Sequence, residues 1–262
     1  FRFEAWAPGG SRGGRGQSGS LSLSRRAETA AAMPGVSELN PKAEVLSSMA
    51  VTMLLTKIRA KASTQKDFVS YADRLMNLLA EEALARLATQ TAVTTPCGEC
   101  SGLEPPVGGG LCLVDIIRSG GILLEAVRRL CPDAKTAKIL IQRNEETGEP
   151  RLYYSSLPQG ITGLKVMITD PMLATGGSAL MAIDVLKEAG VKEEDIFFVN
   201  VLAAPEGLRR LAEEAPGVRI LSAVLDEKIN EKRFIVPGLG DFGDRYYGTT
   251  GYAEGLWGTD GK

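Results

Sequence analysis

The stretch VMITDPMLATGGSAL, residues 166–180, decides the fold. Val166 to Thr169 are apolar or β-branched and read as a buried strand. After Gly177, Ala179, Ala182, Ile183 and Leu186 recur at i, i+3, i+4 and i+7, the period of a helix face, and Gly190 stands where a C′ glycine would end it. Between the two lie Asp170, a proline and a run of small residues. A strand that turns directly into a helix is half of a βαβ unit.

The same alternation extends in both directions. LCLVDII (111–117) reads as strand, GILLEAVRRL as helix and AKILIQ (137–142) as strand, followed by RNEETGEPRLYYSSL as a turn with an outgoing strand. Beyond KVMIT and SALMAIDVLKEA come DIFFVNVLA as strand, PEGLRRLAEEA as helix and VRILSAVL as strand. Apolar runs separated by helices of about a dozen residues imply parallel strands covered on both faces. The expected fold is therefore α/β, a doubly wound, mostly parallel sheet. Tyr153 and Tyr154 fall on a small β arm after the turn, where they suit a contact between subunits. Upstream, Phe68, Tyr71, Leu75, Leu78, Leu79 and Leu87 share one face of a helix over 67–88 that Asp67 could cap, and the Gly-, Pro- and Thr-rich residues 91–110 read as a loop or a poorly paired hairpin.

Residues 1 to about 40 are Gly-, Ser-, Arg- and Ala-rich, with too few large apolar groups to order themselves, so a disordered leader followed by one domain over 41–262 is expected. The leader has the look of an organellar transit segment, while Met33 could equally be a true start.

The 262 residues suffice for one sizeable domain, and 44% are hydrophobic. A net charge of -2 argues against general nucleic-acid or membrane-surface binding, and no run approaches the ~20 apolar residues of a spanning helix. The cysteines Cys97, Cys100, Cys112 and Cys131 are too sparse for a disulfide scaffold, which points to a reducing, cytoplasmic setting, or to a plastid or mitochondrion if the leader is a transit segment. Cys97-Gly-Glu-Cys100 has zinc or redox spacing but lacks a second close pair and the strand-to-helix flanks of a redox motif. The chain contains no histidine, which removes imidazole triads and the usual neutral-pH base. Its chemistry must rest on carboxylates, Arg or Lys, hydroxyls, backbone amides or a borrowed metal.

In doubly wound sheets, ligands bind beyond the carboxyl ends of the strands. Two turns are rich there, RSGG (118–121) and DPMLATGGS (170–178). In the second, Ala174, Thr175, Gly176, Gly177 and Ser178 are small enough for the backbone to approach a ligand. Exposed N–H groups and the positive helix end favour a phosphate monoester, with the hydroxyls of Thr175 and Ser178 as further donors. The lysine of a Walker loop is missing and no such motif occurs elsewhere in the chain, which argues against a triphosphate clamp. Asp170 can accept hydrogen bonds from two sugar hydroxyls, as a ribose 5-phosphate would require; the plainer alternative is an Asp-Pro turn with Ser178 as N-cap. Gly238-Leu-Gly-Asp-Phe-Gly243 matches GxGxxG by letter, but Pro237 interrupts the preceding strand and too little chain follows for a dinucleotide-binding unit.

VMITDPMLATGGS resembles the phosphoribosyl-pyrophosphate (PRPP) loop of the type I phosphoribosyltransferases, and its DPMLATGGS form is similar to that of the uracil phosphoribosyltransferases. IIRSGG (116–121), ILIQRNEETGEP (139–150) and IVPGLGDFGDRYYGT (235–249) resemble further motifs of that family in the same order, so the resemblance spans about residues 50–249. It implies a small β arm or hood on the sheet and a transfer of ribose 5-phosphate from PRPP to uracil. It further implies that Asp170, Pro171, Met172, Leu173, Ala174, Thr175, Gly176, Gly177 and Ser178 hold the ribose 5-phosphate. Arg118 and Arg143 would grip the pyrophosphate; taken alone, Arg118 could instead pair with Asp115 or Glu125, and Arg143 could be a solvated charge of its turn. Ile235, Gly240 and Phe242 would form the uracil pocket, and Asp241 would face the donor or a magnesium-bound water, the Mg2+ arriving mainly with PRPP. Residues 56–75 are similar to a region linked in some members to GTP activation and tetramer formation, so GTP and a homodimer or homotetramer are implied partners. GYAEGLWGTDGK extends past the point where the family usually ends. The competing readings are a non-catalytic ligand sensor on the same fold and a transferase for another nucleobase.

Overall fold

The computed structural model describes residues 35–106, 109–143 and 149–249, with the main chain alone for Arg143. All lie within one compact unit, Pro34–Lys262. Of the expected leader, residues 1–34 fall outside the described residues, as do the 144–148 turn and the extension 250–262. Residues 36–40 belong to the packed body rather than to the leader. Helix α1 (Val36–Leu39) buries Leu39, and Asn40 Nδ2 donates to the carbonyl of Leu208 at 3.1 Å.

Strand β1 (Ala43–Val45) is followed by two helices, α2 (Met49–Arg59) and α3 (Gln65–Ala85). Val51, Leu54, Leu55 and Ile58 give α2 a buried stripe, and Ser48 Oγ caps it by accepting from Ala50 N. Thr64 rather than Asp67 caps α3: its Oγ1 accepts from Asp67 N at 3.1 Å, so the helix starts before the expected position. Strands β2 (Thr89–Thr95) and β3 (Gly98–Glu104) then form a regular antiparallel hairpin, not the loose segment expected. Thr95 Oγ1 accepts from Cys97 N and donates to Gly98 O, which closes the two-residue turn at Pro96-Cys97. The β-branched Thr89, Thr91, Val93 and Thr95 favour extended backbone on the strand before it.

The main sheet comprises β1, β4 (Leu111–Ile117), β5 (Lys135–Arg143), β6 (Pro150–Ser156), β7 (Lys165–Thr169), β8 (Met172–Leu173), β9 (Ile196–Ala203) and β10 (Arg219–Leu225). Its spatial order is β1-β10-β9-β7-β4-β5-β6, with β8 paired to β9 beyond the end of β7, and only the β5–β6 pair is antiparallel. Helices α4 (Gly120–Leu130), α5 (Gly177–Glu188) and α6 (Pro205–Glu214) connect the strands. Successive residues of β4 point to opposite faces. Leu111 and Leu113 join the core formed with α2, α3 and α4, while Cys112, Val114 and Ile116 join the core formed with α5 and α6. Full burial of such side chains contributes about 1.5–3 kcal/mol each. The expected doubly wound α/β sheet is thus observed. A small hairpin of β11 (Lys228–Ile229) and β12 (Ile235–Val236) and a short helix α7 (Phe242–Tyr247) complete the described chain.

From β4 the chain winds outward through α4 to β5, and from β7 it winds the other way through α5 to β9 and β10. Because β4 and β7 are neighbours and α4 and α5 leave to opposite faces, a crevice opens between their carboxyl ends. This is the topological switch point of the sheet.

Candidate active site

The turns RSGG and DPMLATGGS are the two that flank this crevice. Thr169 Oγ1 lies 3.1 Å from the carbonyl oxygens of both Val114 and Gly120, so one buried hydroxyl ties the end of β7 to β4 and to the first turn. Gly120 has no room for a side chain: a Cβ there would overlap Thr169 O and lie 2.9 Å from Asp115 Oδ1.

The 170–178 segment is more structured than a loop of small residues suggests. Asp170 Oδ1 accepts from Met172 N at 3.3 Å, the carbonyl of Pro171 accepts from Val201 N and Leu202 N at 3.0 Å, and that of Leu173 from Ala204 N at 2.9 Å. These bonds make β8 and hold the segment rigidly along β9. The side chains of Pro171 and Leu173 are buried in the protein, leaving only their main chain for a ligand. Gly176, at φ 78°, is the N-cap of α5, and no side chain caps the helix. Ser178 lies inside the helix, so the alternative in which it serves as N-cap is corrected. Uncapped N–H groups at the start of a 12-residue helix leave donors and the positive dipole end for an anion.

The third element is the segment 235–249. Gly238 and Gly240 adopt φ 57° and 83°, which turns the chain sharply before Asp241 caps α7, its Oδ1 accepting from Asp244 N at 2.7 Å. Phe242 is buried, edge-to-face with Phe68 (5.2 Å between centroids) and stacked with Tyr246. Desolvation raises the Asp241 carboxyl above the ordinary range, and the Asp244 carboxylate adds to this while Arg118 opposes it.

Arg118 reaches this segment rather than the acids near it in sequence. Its Nη2 lies 2.8 Å from Asp244 Oδ1 and 3.8 Å from Asp241 Oδ1, and Nη1 donates to Thr249 Oγ1 at 3.0 Å. Asp115 pairs instead with Lys138 (2.9 Å), and Glu125 with Arg128 (2.8 Å). The half-exposed guanidinium of Arg118 is thereby held at the cavity mouth.

All three elements border one cavity of about 320 Å³. Arg118, Asp170, Met172, Ala174 and Ser178 line it from the sheet, and Ile235, Gly240, Asp241 and Phe242 from the opposite segment. Thr175, Gly176 and Gly177 do not line it. Gly176 is pressed against Leu211 and Gly207, and Gly177 against Pro150 and Arg210, so these glycines also allow close approach of neighbouring elements. The side chain of Arg143 lies outside the described residues. Residues that pattern reading missed include Ser119, Ile141, Arg233 and Phe234. Arg233, at φ 64°, sits in the β11–β12 connection, where the only sequence signal is the Lys232-Arg233 pair.

The arrangement sets the first turn of α5 at Ser178, a cation and two carboxylates around one space, with an apolar floor at Ile235 and Phe242. Such a site can hold an anionic sugar phosphate and stabilise a leaving anion without a strong base.

The model of the family described as uracil phosphoribosyltransferase matches residues 45–249. A uracil phosphoribosyltransferase of Dictyostelium discoideum is 44% identical over 197 residues, covering 75% of this chain and 91% of that protein. Uracil phosphoribosyltransferase 1 of Schizosaccharomyces pombe is 43% identical over 75% of this chain and 90% of its own length. The solved structure of the AQ2163 protein from Aquifex aeolicus superposes with a TM-score of 0.67 at 35% identity, covering 79% of this chain and 98% of that one. The family model takes in the 170–178 turn, the RSGG turn and the 235–249 segment together, and on these grounds the chain belongs to the uracil phosphoribosyltransferase family.

Proposed function

We propose that this protein transfers the 5-phosphoribosyl group of PRPP to uracil, yielding uridine 5′-monophosphate and pyrophosphate in pyrimidine salvage. The observation that carries this reading is the one cavity bordered by Ser178 in the first turn of α5, by Asp170 and Arg118, and by the 235–243 segment. In the reaction the bond between ribose C1 and the pyrophosphate oxygen breaks, a bond from C1 to uracil N1 forms, and the N1 proton is lost. The transition state is oxocarbenium-like, so positioning and charge stabilisation outweigh base strength. A chain without histidine is suited to that chemistry.

Each residue has a role in this reading. The amides from Ala174 to Ser178 hold the 5′-phosphate, and Asp170 accepts from the ribose hydroxyls. Arg118 exchanges its contacts with Asp244 and Thr249 for the pyrophosphate, with Arg143 as a second cation. The main chain of Ile235 and Gly240 reads the pyrimidine edge, and Phe242 packs against the base. Asp170 and Asp241 offer hard oxygen donors on the cavity wall, which suits Mg2+ held through substrate phosphates and water with few protein ligands. When bound, that ion neutralises charge on the departing pyrophosphate.

Two finer readings belong to the same proposal. The exposed Tyr153 and Tyr154 on β6 support a homodimer or homotetramer, and the α2–α3 corner supports a GTP response, because it packs on the base segment. A cytoplasmic or organellar location is inferred from cysteine usage and from the leader. Among the described residues, no helix is long and apolar enough to cross a membrane.

Purified protein incubated with uracil, PRPP and Mg2+ is expected to form the nucleotide and pyrophosphate in equal amounts. Absence of product at several pH values, with and without GTP, rejects the reading. Product from orotate, cytosine or a purine but not uracil would replace it with another base specificity. Binding of PRPP without any turnover would make the protein a sensor.

A further inference from the structure

The base segment is held from outside the cavity by an ion pair that joins residues far apart in sequence. Arg59, the last residue of α2, makes a forked contact with Asp226, just past β10: Nη2 to Oδ1 at 2.5 Å and Nη1 to Oδ2 at 2.8 Å. The same two side chains take both main-chain groups of Gly238. Arg59 Nη1 donates to Gly238 O at 2.8 Å, and Gly238 N donates to Asp226 Oδ2 at 2.9 Å. Gly238 is the pivot of the segment, at φ 57°, and a Cβ there would overlap Ile235 O. One residue further on, Leu239 O accepts from the buried Arg245, whose other bonds go to the carbonyls of Ile58 and Ala60 on either side of Arg59. The end of α2 is thus fastened to Gly238 and Leu239, which lie in sequence between two residues that line the cavity, Ile235 and Gly240. Neither Arg59 nor Asp226 lines the cavity.

We propose that Arg59 and Asp226 are positioning residues for the base: by saturating both hydrogen-bonding groups of Gly238 they fix the turn, so that the main chain of Ile235 and Gly240 meets the pyrimidine edge in one geometry. This rests on the assignment of that segment to uracil. The physical reason is preorganisation. If the turn samples other conformations, the apparent affinity for the base falls by the fraction of time the competent one is populated, while the donor site on β7 and α5 is untouched. An Arg–carboxylate fork suits the task because its two parallel bonds fix orientation as well as distance.

The test compares steady-state kinetics of the parent chain with Arg59→Met, Arg59→Lys and Asp226→Asn, each checked by thermal melting. Loss of charge-assisted hydrogen bonds of this kind corresponds to about tenfold or more in affinity. Arg59→Met and Asp226→Asn are expected to raise KM for uracil about tenfold, with KM for PRPP within about twofold and kcat at saturating uracil largely kept. Arg59→Lys, which keeps the cation but not the fork, falls between parent and Arg59→Met. A purely structural pair would lower the melting temperature without splitting the two KM values. The proposal is overturned if KM for uracil stays within twofold in the folded variants, or if both KM values rise together. Should Arg59→Met fail to fold, Arg59→Lys and Asp226→Asn carry the comparison under the same criteria. A parent chain that turns over uracil while its variants show no split removes only this proposal; a parent inactive on uracil removes the assigned function as well.

Discussion

Gly120→Ala places one methyl group where the 118–121 turn meets the end of β7. The added Cβ would sit 2.9 Å from Asp115 Oδ1 and closer still to Thr169 O, a backbone atom in the sheet centre that cannot yield alone. Carbon and oxygen need about 3.3 Å or more, so the 118–121 turn must move by on the order of 1 Å relative to β7. Overpacking of this kind costs about 1–3 kcal/mol, against at most about 1 kcal/mol gained from the better helix propensity of alanine. A net loss of about 1–2 kcal/mol corresponds to a melting temperature lower by roughly 2–8 °C for a domain of this size. Activity should suffer more than stability. The displaced turn carries Arg118 and Ser119, which line the same cavity as Asp170, and an ångström of misplacement can cost about 100-fold in rate. Thermal denaturation and kcat/KM for both substrates measure the two effects. A variant that melts within one degree of the parent and keeps kcat/KM within about threefold would refute the coupling of the two turns through Gly120.

Asp170→Asn keeps the acceptor for Met172 N but removes the charge to which the proposed mechanism assigns the ribose hydroxyls, so turnover is expected to fall by at least about 100-fold with little change in melting; retained activity would show that the carboxylate is not needed. Burial pushes the Cys112 thiol up to about 11, whereas Cys97 and Cys100 are exposed; alkylation near pH 8 followed by peptide mapping should modify the latter two and spare Cys112 until denaturant is added. The Glu193 carboxyl is held below its ordinary value, first by Lys187 Nζ at 2.6 Å and also by Gly217 N. Its stabilisation is therefore complete above the unfolded value of about 4.3 and is lost as pH falls through the depressed folded value. For this partly exposed pair that is about 0.5–1 kcal/mol, so the melting deficit of Glu193→Gln at pH 7 should shrink progressively as pH is lowered below about 4, and a pH-independent deficit contradicts the assignment.

Local patterning carried the main sheet and the α4, α5 and α6 connections, because burial on both sides of a parallel strand and the 3.6-residue helix stripe leave direct marks in the order of apolar residues. The two turns that flank the crevice were legible for a related reason: a chain passing from a strand end straight into a helix within a few positions needs small residues there. Helix α2 carries a signal of the same kind, shorter than the stripe of α3, in Val51, Leu54, Leu55 and Ile58 behind the Ser48 cap. Other features had no local mark. Strand β8 exists because Pro171 and Leu173 find partners on β9, and Ser178 gives up the cap position because Gly176 can turn left-handed against Leu211 and Gly207. The partner of Arg118 is Asp244, not Asp115 or Glu125 nearby, since the chain beyond β12 folds back over the crevice. Arg59, Asp226 and Gly238 come together only because α2 and β10 end beside the turn at Gly238. Periodicity records which way a side chain faces, and only the packed tertiary structure decides which distant backbone groups that side chain will hold.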